Sequence, residues 1–152
     1  MTVLVDEAAR EPLLLETAAL REALTDVEAR ANYDALSRAV AAGEVPDDLA
    51  APLERVLEIG LRTGRVRRLH GMHAEAALAR VFHDTAKGRA LGAAVGEVNT
   101  ALGALAGQPL ERLSIVAKGP GAYALTVETG AATLTLEIGP EGVAVKDVSV
   151  GA

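Results

Sequence analysis

The chain has 152 residues, enough for one domain with a sizeable core, and half of it is hydrophobic while only 2% is aromatic. It contains no cysteine, which excludes disulfides, thiol nucleophiles and Cys-ligated zinc, and so few aromatics count against a base-stacking surface for single-stranded nucleic acid. The formal net charge of −6 hides a segregation: residues 1–60 hold thirteen acids and five bases, residues 61–90 two acids and seven bases, and residues 91–152 six acids and three bases.

Residues 1–10 are acidic, with a short strand expected at Val3–Val5, and lack the basic and apolar regions of a signal peptide. No uncharged run reaches the roughly 18 residues of a membrane span, so a cytoplasmic protein without a membrane partner is expected. Pro12 suits the first turn of a helix predicted to run to Gly43. Leu13, Leu20, Leu24 and Val27 recur at helical spacing, and Tyr33, Leu36 and Val40 continue the stripe. Arg21, Glu22, Glu28, Arg30 and Arg38 form its wet face. A helix that long needs a partner helix, from within the chain or from another copy.

Val45-Pro46-Asp47-Asp48 leads into a second helix, which either aspartate can cap. Leu49, Leu53, Val56, Leu57 and Leu61 form its buried stripe, and Arg62, Arg65, Arg67 and Arg68 crowd its end. Gly71 breaks the run, and a third helix is predicted from His73 to His83. Thr85 can cap a fourth, Ala86 to Ala106, ended by Gly107 and Pro109. Leu91, Val95, Val98, Leu102 and Leu105 line one side of it. Gly88, Gly92 and Gly96 fall beside them at intervals of four, and each costs a helix interior roughly 1 kcal/mol relative to alanine. That stripe implies close packing, either within the chain or at a dimer interface.

Near Leu110 the apolar period changes from helical to alternating. Four strands are predicted, with Leu113, Ile115 and Ala117 inward on the first, then Tyr123, Leu125 and Val127, then Leu134, Leu136 and Ile138. Thr129-Gly130 fits a two-residue type I′ turn, which sets Leu125 opposite Leu134 and Thr126 opposite Thr133. A bulge at Lys146-Asp147 reconciles Val143 and Val145 with Val148 and Val150. The fold class expected is α+β: about four N-terminal helices (residues 11–107) on one face of a four-stranded antiparallel meander (residues 111–150), in a single domain over 1–152.

Chemistry is harder to place. His70, His73, Glu75, His83 and Asp84 supply metal-ligand types, but His73 and His83 lie roughly 80° apart on a helical wheel and nothing has the His-Glu-x-x-His form. No metal or cofactor is expected. Ser37, Ser114 and Ser149 lack a nucleophile-elbow context, and no P-loop or dinucleotide fingerprint is present. Arg62, Arg65, Arg67 and Arg68, with His70 and His73, are the candidate binding residues, for an acidic protein partner or the chain's own acidic helices. Nucleic acid is disfavoured by the acidic balance and by the nearly uncharged segment Ala74–Val81, which lacks the polar side chains a recognition helix needs.

The expectation is a non-catalytic interaction or adaptor module, homodimeric, with Gly88, Gly92 and Gly96 at its interface. The alternatives are a small-ligand binder or enzyme with a pocket between helices and sheet, and anion or nucleic-acid binding through the Arg62–Arg68 patch.

Overall fold

The computed structural model describes residues 1–151. Five helices precede a four-stranded antiparallel sheet, so the α+β class is as expected. The chain divides into two compact units, Met1–Arg89 and a second that begins at Ala90.

In the first unit, β1 (Val3–Leu4) leads into α1 (Glu7–Ala23), and α2 (Val27–Ala42) leads into β2 (Glu44–Val45). The expected single helix from Pro12 to Gly43 is therefore two. Asp6 caps α1, its carboxylate accepting from the Ala9 N–H at 2.8 Å, and Pro12 lies inside the helix rather than in its first turn. The helix stops at Leu24, and Asp26 starts α2 by accepting from the Glu28 N–H. Arg30 Nε donates to the Leu24 carbonyl at 2.6 Å and stitches the break. Arg21 meets Asp34 through two nitrogens, so part of the expected wet face joins the two helices. That guanidinium holds the Asp34 carboxyl below its ordinary value. β1 and β2 pair antiparallel, Val3 opposite Val45, and both valines are buried.

Asp47–Leu49 forms a 3₁₀ turn ahead of α3 (Ala50–Arg62), and neither Asp47 nor Asp48 makes the expected cap bond. Asp47 lies 3.3 Å from the Met1 ammonium instead. α4 (Arg65–His83) begins eight residues earlier than predicted and is interrupted at Gly71, whose φ of 88° and ψ of 175° fall where only glycine sits without strain. Leu13, Leu36, Leu53, Leu57 and Leu78, from all four helices, are fully buried in one core. Each contributes roughly 1.5–3 kcal/mol of burial.

Helix α5 (Ala86–Gly103) carries the unit boundary after its first turn. Thr85 Oγ1 accepts from the Gly88 N–H at 3.1 Å, the cap the sequence predicts, and buried Glu54 accepts from the Lys87 N–H at 2.9 Å.

In the second unit the sheet order is β3 (Leu110–Gly119), β4 (Ala122–Thr129), β5 (Ala132–Gly139) and β6 (Gly142–Val150), the sequential meander expected. Its register differs from the prediction by two residues: Leu125 faces Leu136, not Leu134, and Thr126 faces Thr135, not Thr133. Four residues, 129–132, separate the last pair, Glu128 and Thr133. Thr129 closes the loop, its Oγ1 accepting from the Ala132 N–H at 3.1 Å and donating to the Gln108 side chain at 2.6 Å. An even shift preserves side-chain parity, so the inward and outward sets survive the error. The bulge expected in β6 is present: Asp147 pairs with Thr135 and Val145 with Leu136, leaving Lys146 extra.

α5 packs on the apolar face of this sheet. Val98, Leu134 and Leu136 are its buried centre, with Leu125, Val143 and Val145 partly buried around them.

Candidate interaction surfaces

The six candidate binding residues do not converge. Arg65 and His70 lie in the stretch of α4 before the Gly71 interruption, and both turn to Glu16 of α1. Arg65 Nε is 2.8 Å from Glu16 Oε2, and His70 Nε2 is 2.9 Å from Glu16 Oε1. Glu16 is only 6% exposed, so its charge needs these partners. Arg67 Nε lies 4.0 Å from Glu75 Oε2, at the outer limit of an ion pair, and its Nη2 reaches the Met72 sulfur. Arg62, Arg68 and His73 are exposed. The island is thus used in part by the chain's own acids, one of the readings its sequence allows.

Glu16 is the residue that sequence reasoning missed. It falls three residues after Leu13 on the inward stripe of α1, and a carboxylate at that position is the signal that a cation must meet it. A groove of about 290 Å³ runs beside the pair, lined by Ala19, Leu20, Val56 and Ile59 with Glu16 and Arg65. Arg67 and His73 do not line it. Among the described residues no group of three His, Cys, Asp or Glu side chains gathers as a metal site.

The three glycines of the stripe have different surroundings. Gly88 is buried, and a Cβ there would lie 1.9 Å from the Phe82 carbonyl oxygen, so its close approach is to the chain's own α4. Gly92 and Gly96 are exposed, with nothing within 4 Å of the same position. Val95 and Leu102, expected on the packed face of α5, are also exposed.

The sheet shows the larger departure. Leu113 and Ile115 share a face with Leu125, Val127, Leu134 and Leu136, as parity requires, yet they are 59% and 61% exposed. Their expected inward burial is not realised. A helix is about 10 Å across and strands are about 4.8 Å apart, so one helix shelters roughly two to three strands. The apolar residues gathered around Val98 come from β4, β5 and β6, and none from β3. Leu110 and Val116 on the same strand are exposed too, as is Tyr123 beside it on β4.

The two edges of the sheet are guarded differently. Edge strand β6 is interrupted at mid-length by its bulge and by Lys146 and Asp147, and Lys146 Nζ is 3.5 Å from Glu137. Bulges and edge lysines are the usual obstacles to pairing with another chain. In β3 the irregularities fall near the ends, at Glu111 and Lys118. Between them Arg112–Ala117 pairs regularly with β4, and Leu113-Ser114-Ile115-Val116-Ala117 carries no charge and no proline.

Comparison of the chain with protein-family models, with curated proteins and with solved structures finds no match. No helix among the described residues is long and apolar enough to cross a membrane.

Proposed function

We propose that the protein is a non-catalytic interaction module and that it acts as a homodimer joined through its C-terminal sheet. The observation that carries this reading is the exposed apolar run on β3: Leu110, Leu113, Ile115 and Val116 are each more than half exposed on one unguarded edge strand. Burying a large aliphatic side chain is worth roughly 1.5–3 kcal/mol, and Leu113 and Ile115 share one face of β3, so the pair from each of two copies favours association when they meet. A second copy is the occupant because the surface is self-complementary. Its charges, Glu111, Arg112 and Lys118, flank the apolar centre and can avoid one another across a two-fold axis.

Small-ligand binding draws on the groove beside Glu16, but the two polar groups there already satisfy each other. The basic patch supports an acidic partner less well than its sequence suggests, since Arg65 is held by Glu16 and Arg67 lies beside Glu75.

Sedimentation of the full chain across a wide concentration range tests the reading. A dimer that dissociates on dilution is expected, and the double substitution Leu113→Lys with Ile115→Lys should give a folded monomer. A wild-type chain that is monomeric at every concentration overturns it.

A further inference from the structure

Resting on the self-association proposed above, the geometry points to one seam: the β3 strands of two copies pair antiparallel about a two-fold axis at Ser114, forming one continuous eight-stranded sheet. Two constraints narrow the register. The regular stretch is Arg112–Ala117, so a symmetric partner must be centred within it. The two-fold is perpendicular to the sheet, so residues opposite each other share a face and their numbers sum to an even value. Two centres, Ser114 and Ile115, keep most of the regular stretch paired.

The side chains choose between them. Centred on Ser114, Leu113 of each copy faces Ile115 of the other, Ser114 faces Ser114, and Arg112 faces Val116. Leu113 and Ile115, both more than half exposed on the apolar face, then meet their counterparts in the cross-strand pairs that stabilise sheets. Lys118 of one copy stays away from Arg112 of the other. Centred on Ile115, Leu113 faces only Ala117, and Arg112 comes opposite Lys118, a repulsive pair. The β6 edge offers no such run, because its bulge and the Lys146-Asp147 pair interrupt it. The seam also supplies partners to the outward N–H and C=O groups of β3, which an edge strand otherwise leaves to water.

The absence of cysteine makes the register directly testable. Residues opposite each other in an antiparallel pair have Cα atoms about 4.5–5.5 Å apart, within the roughly 4.4–6.8 Å that a disulfide spans. The Ser114→Cys chain, treated with oxidised glutathione at a concentration where the wild type is dimeric, should convert to covalent dimer with unchanged sedimentation. Arg112→Cys alone and Val116→Cys alone should stay uncrosslinked, since each would lie about 14 Å from its own copy. Mixed together, those two variants should yield the crosslinked heterodimer. If Ile115→Cys crosslinks and Ser114→Cys does not, the register is wrong. If none of the four crosslinks while the wild type sediments as a dimer, β3 is not the seam, although self-association stands. A wild-type monomer removes the inference and the proposed function together.

Discussion

Two leucines on amphipathic elements meet opposite fates in this chain. Leu57, on α3, is fully buried, whereas Leu113, on β3, is 59% exposed. The first belongs to a unit in which four helices turn their stripes toward a common centre and fifteen hydrophobic residues are buried together. The second belongs to a unit whose buried centre is three residues, Val98, Leu134 and Leu136. The sequence pattern is equally amphipathic in both. What differs is the supply of covering elements: four helical stripes can enclose one another, but a single helix cannot span four strands. An amphipathic pattern therefore identifies the face that wants burial, while element count decides whether the chain can bury it alone.

The contrast is most directly tested by equal truncation in the two places. Leu57→Ala should cost about 2–5 kcal/mol, the range for a large core side chain replaced by a cavity. Leu113→Ala should change the folding stability of the monomer by less than about 1 kcal/mol and weaken the dimer instead. Urea unfolding followed by far-UV circular dichroism, at low and high protein concentration, separates the two effects. Equal losses at low concentration would mean that Leu113 is sheltered within the chain and that the two units do not differ in this way.

A second pair of substitutions sits on one helix. Gly88→Ala places a methyl where the Phe82 carbonyl oxygen already stands, so the backbone must shift. Overpacking of that kind costs typically 1–3 kcal/mol. Gly92→Ala meets nothing, and α5 should gain up to roughly 1 kcal/mol from the better helix former. Thermal unfolding should thus move in opposite directions for two glycines one turn apart. Loss of the dimer on Gly92→Ala would instead extend the interface onto α5.

Much of the fold was legible in the chain because the relevant signals are local. The change of period near Leu110, the Thr85 cap and the bulge at Lys146 depend on neighbouring residues alone, and each is found where expected. The break at Leu24 was hidden because Leu24 and Val27 continue the stripe of α1, while the capping role of Asp26 is a weaker mark. The hairpin register failed because Thr129 closes a four-residue loop with its side chain, which makes Thr129-Gly130 resemble a tighter turn. The candidate site was less legible for a different reason. Whether Arg65 is spare or committed depends on Glu16, forty-nine residues away, and whether Leu113 is inside depends on how far α5 reaches. Those are tertiary facts, and a one-dimensional pattern carries only their preconditions.

The smallest expected effect concerns acid, and it again sets the units apart. Asp6 and Asp34, both in the helical unit, have carboxyls held below the ordinary value of 3.8, Asp6 chiefly by the Ala9 N–H and then Arg80, Asp34 chiefly by its hydrogen bond from Arg21. A carboxyl whose folded pKa lies below its unfolded one binds its proton more readily when the chain unfolds. Its contribution to stability is complete above the unfolded value, and it is lost as pH falls through that value toward the folded one. Lowering the pH from about 5 to about 2 should therefore reduce the urea midpoint of the helical signal. Both aspartates are solvent-facing, so the loss is small and should shrink further in added salt. Asp34→Asn removes one of the two titrating groups and should flatten the acid slope while leaving the midpoint at low pH nearly unchanged. An unaltered slope in that variant would show that the Arg21–Asp34 contact adds no pH-dependent stability to the packing of α1 against α2.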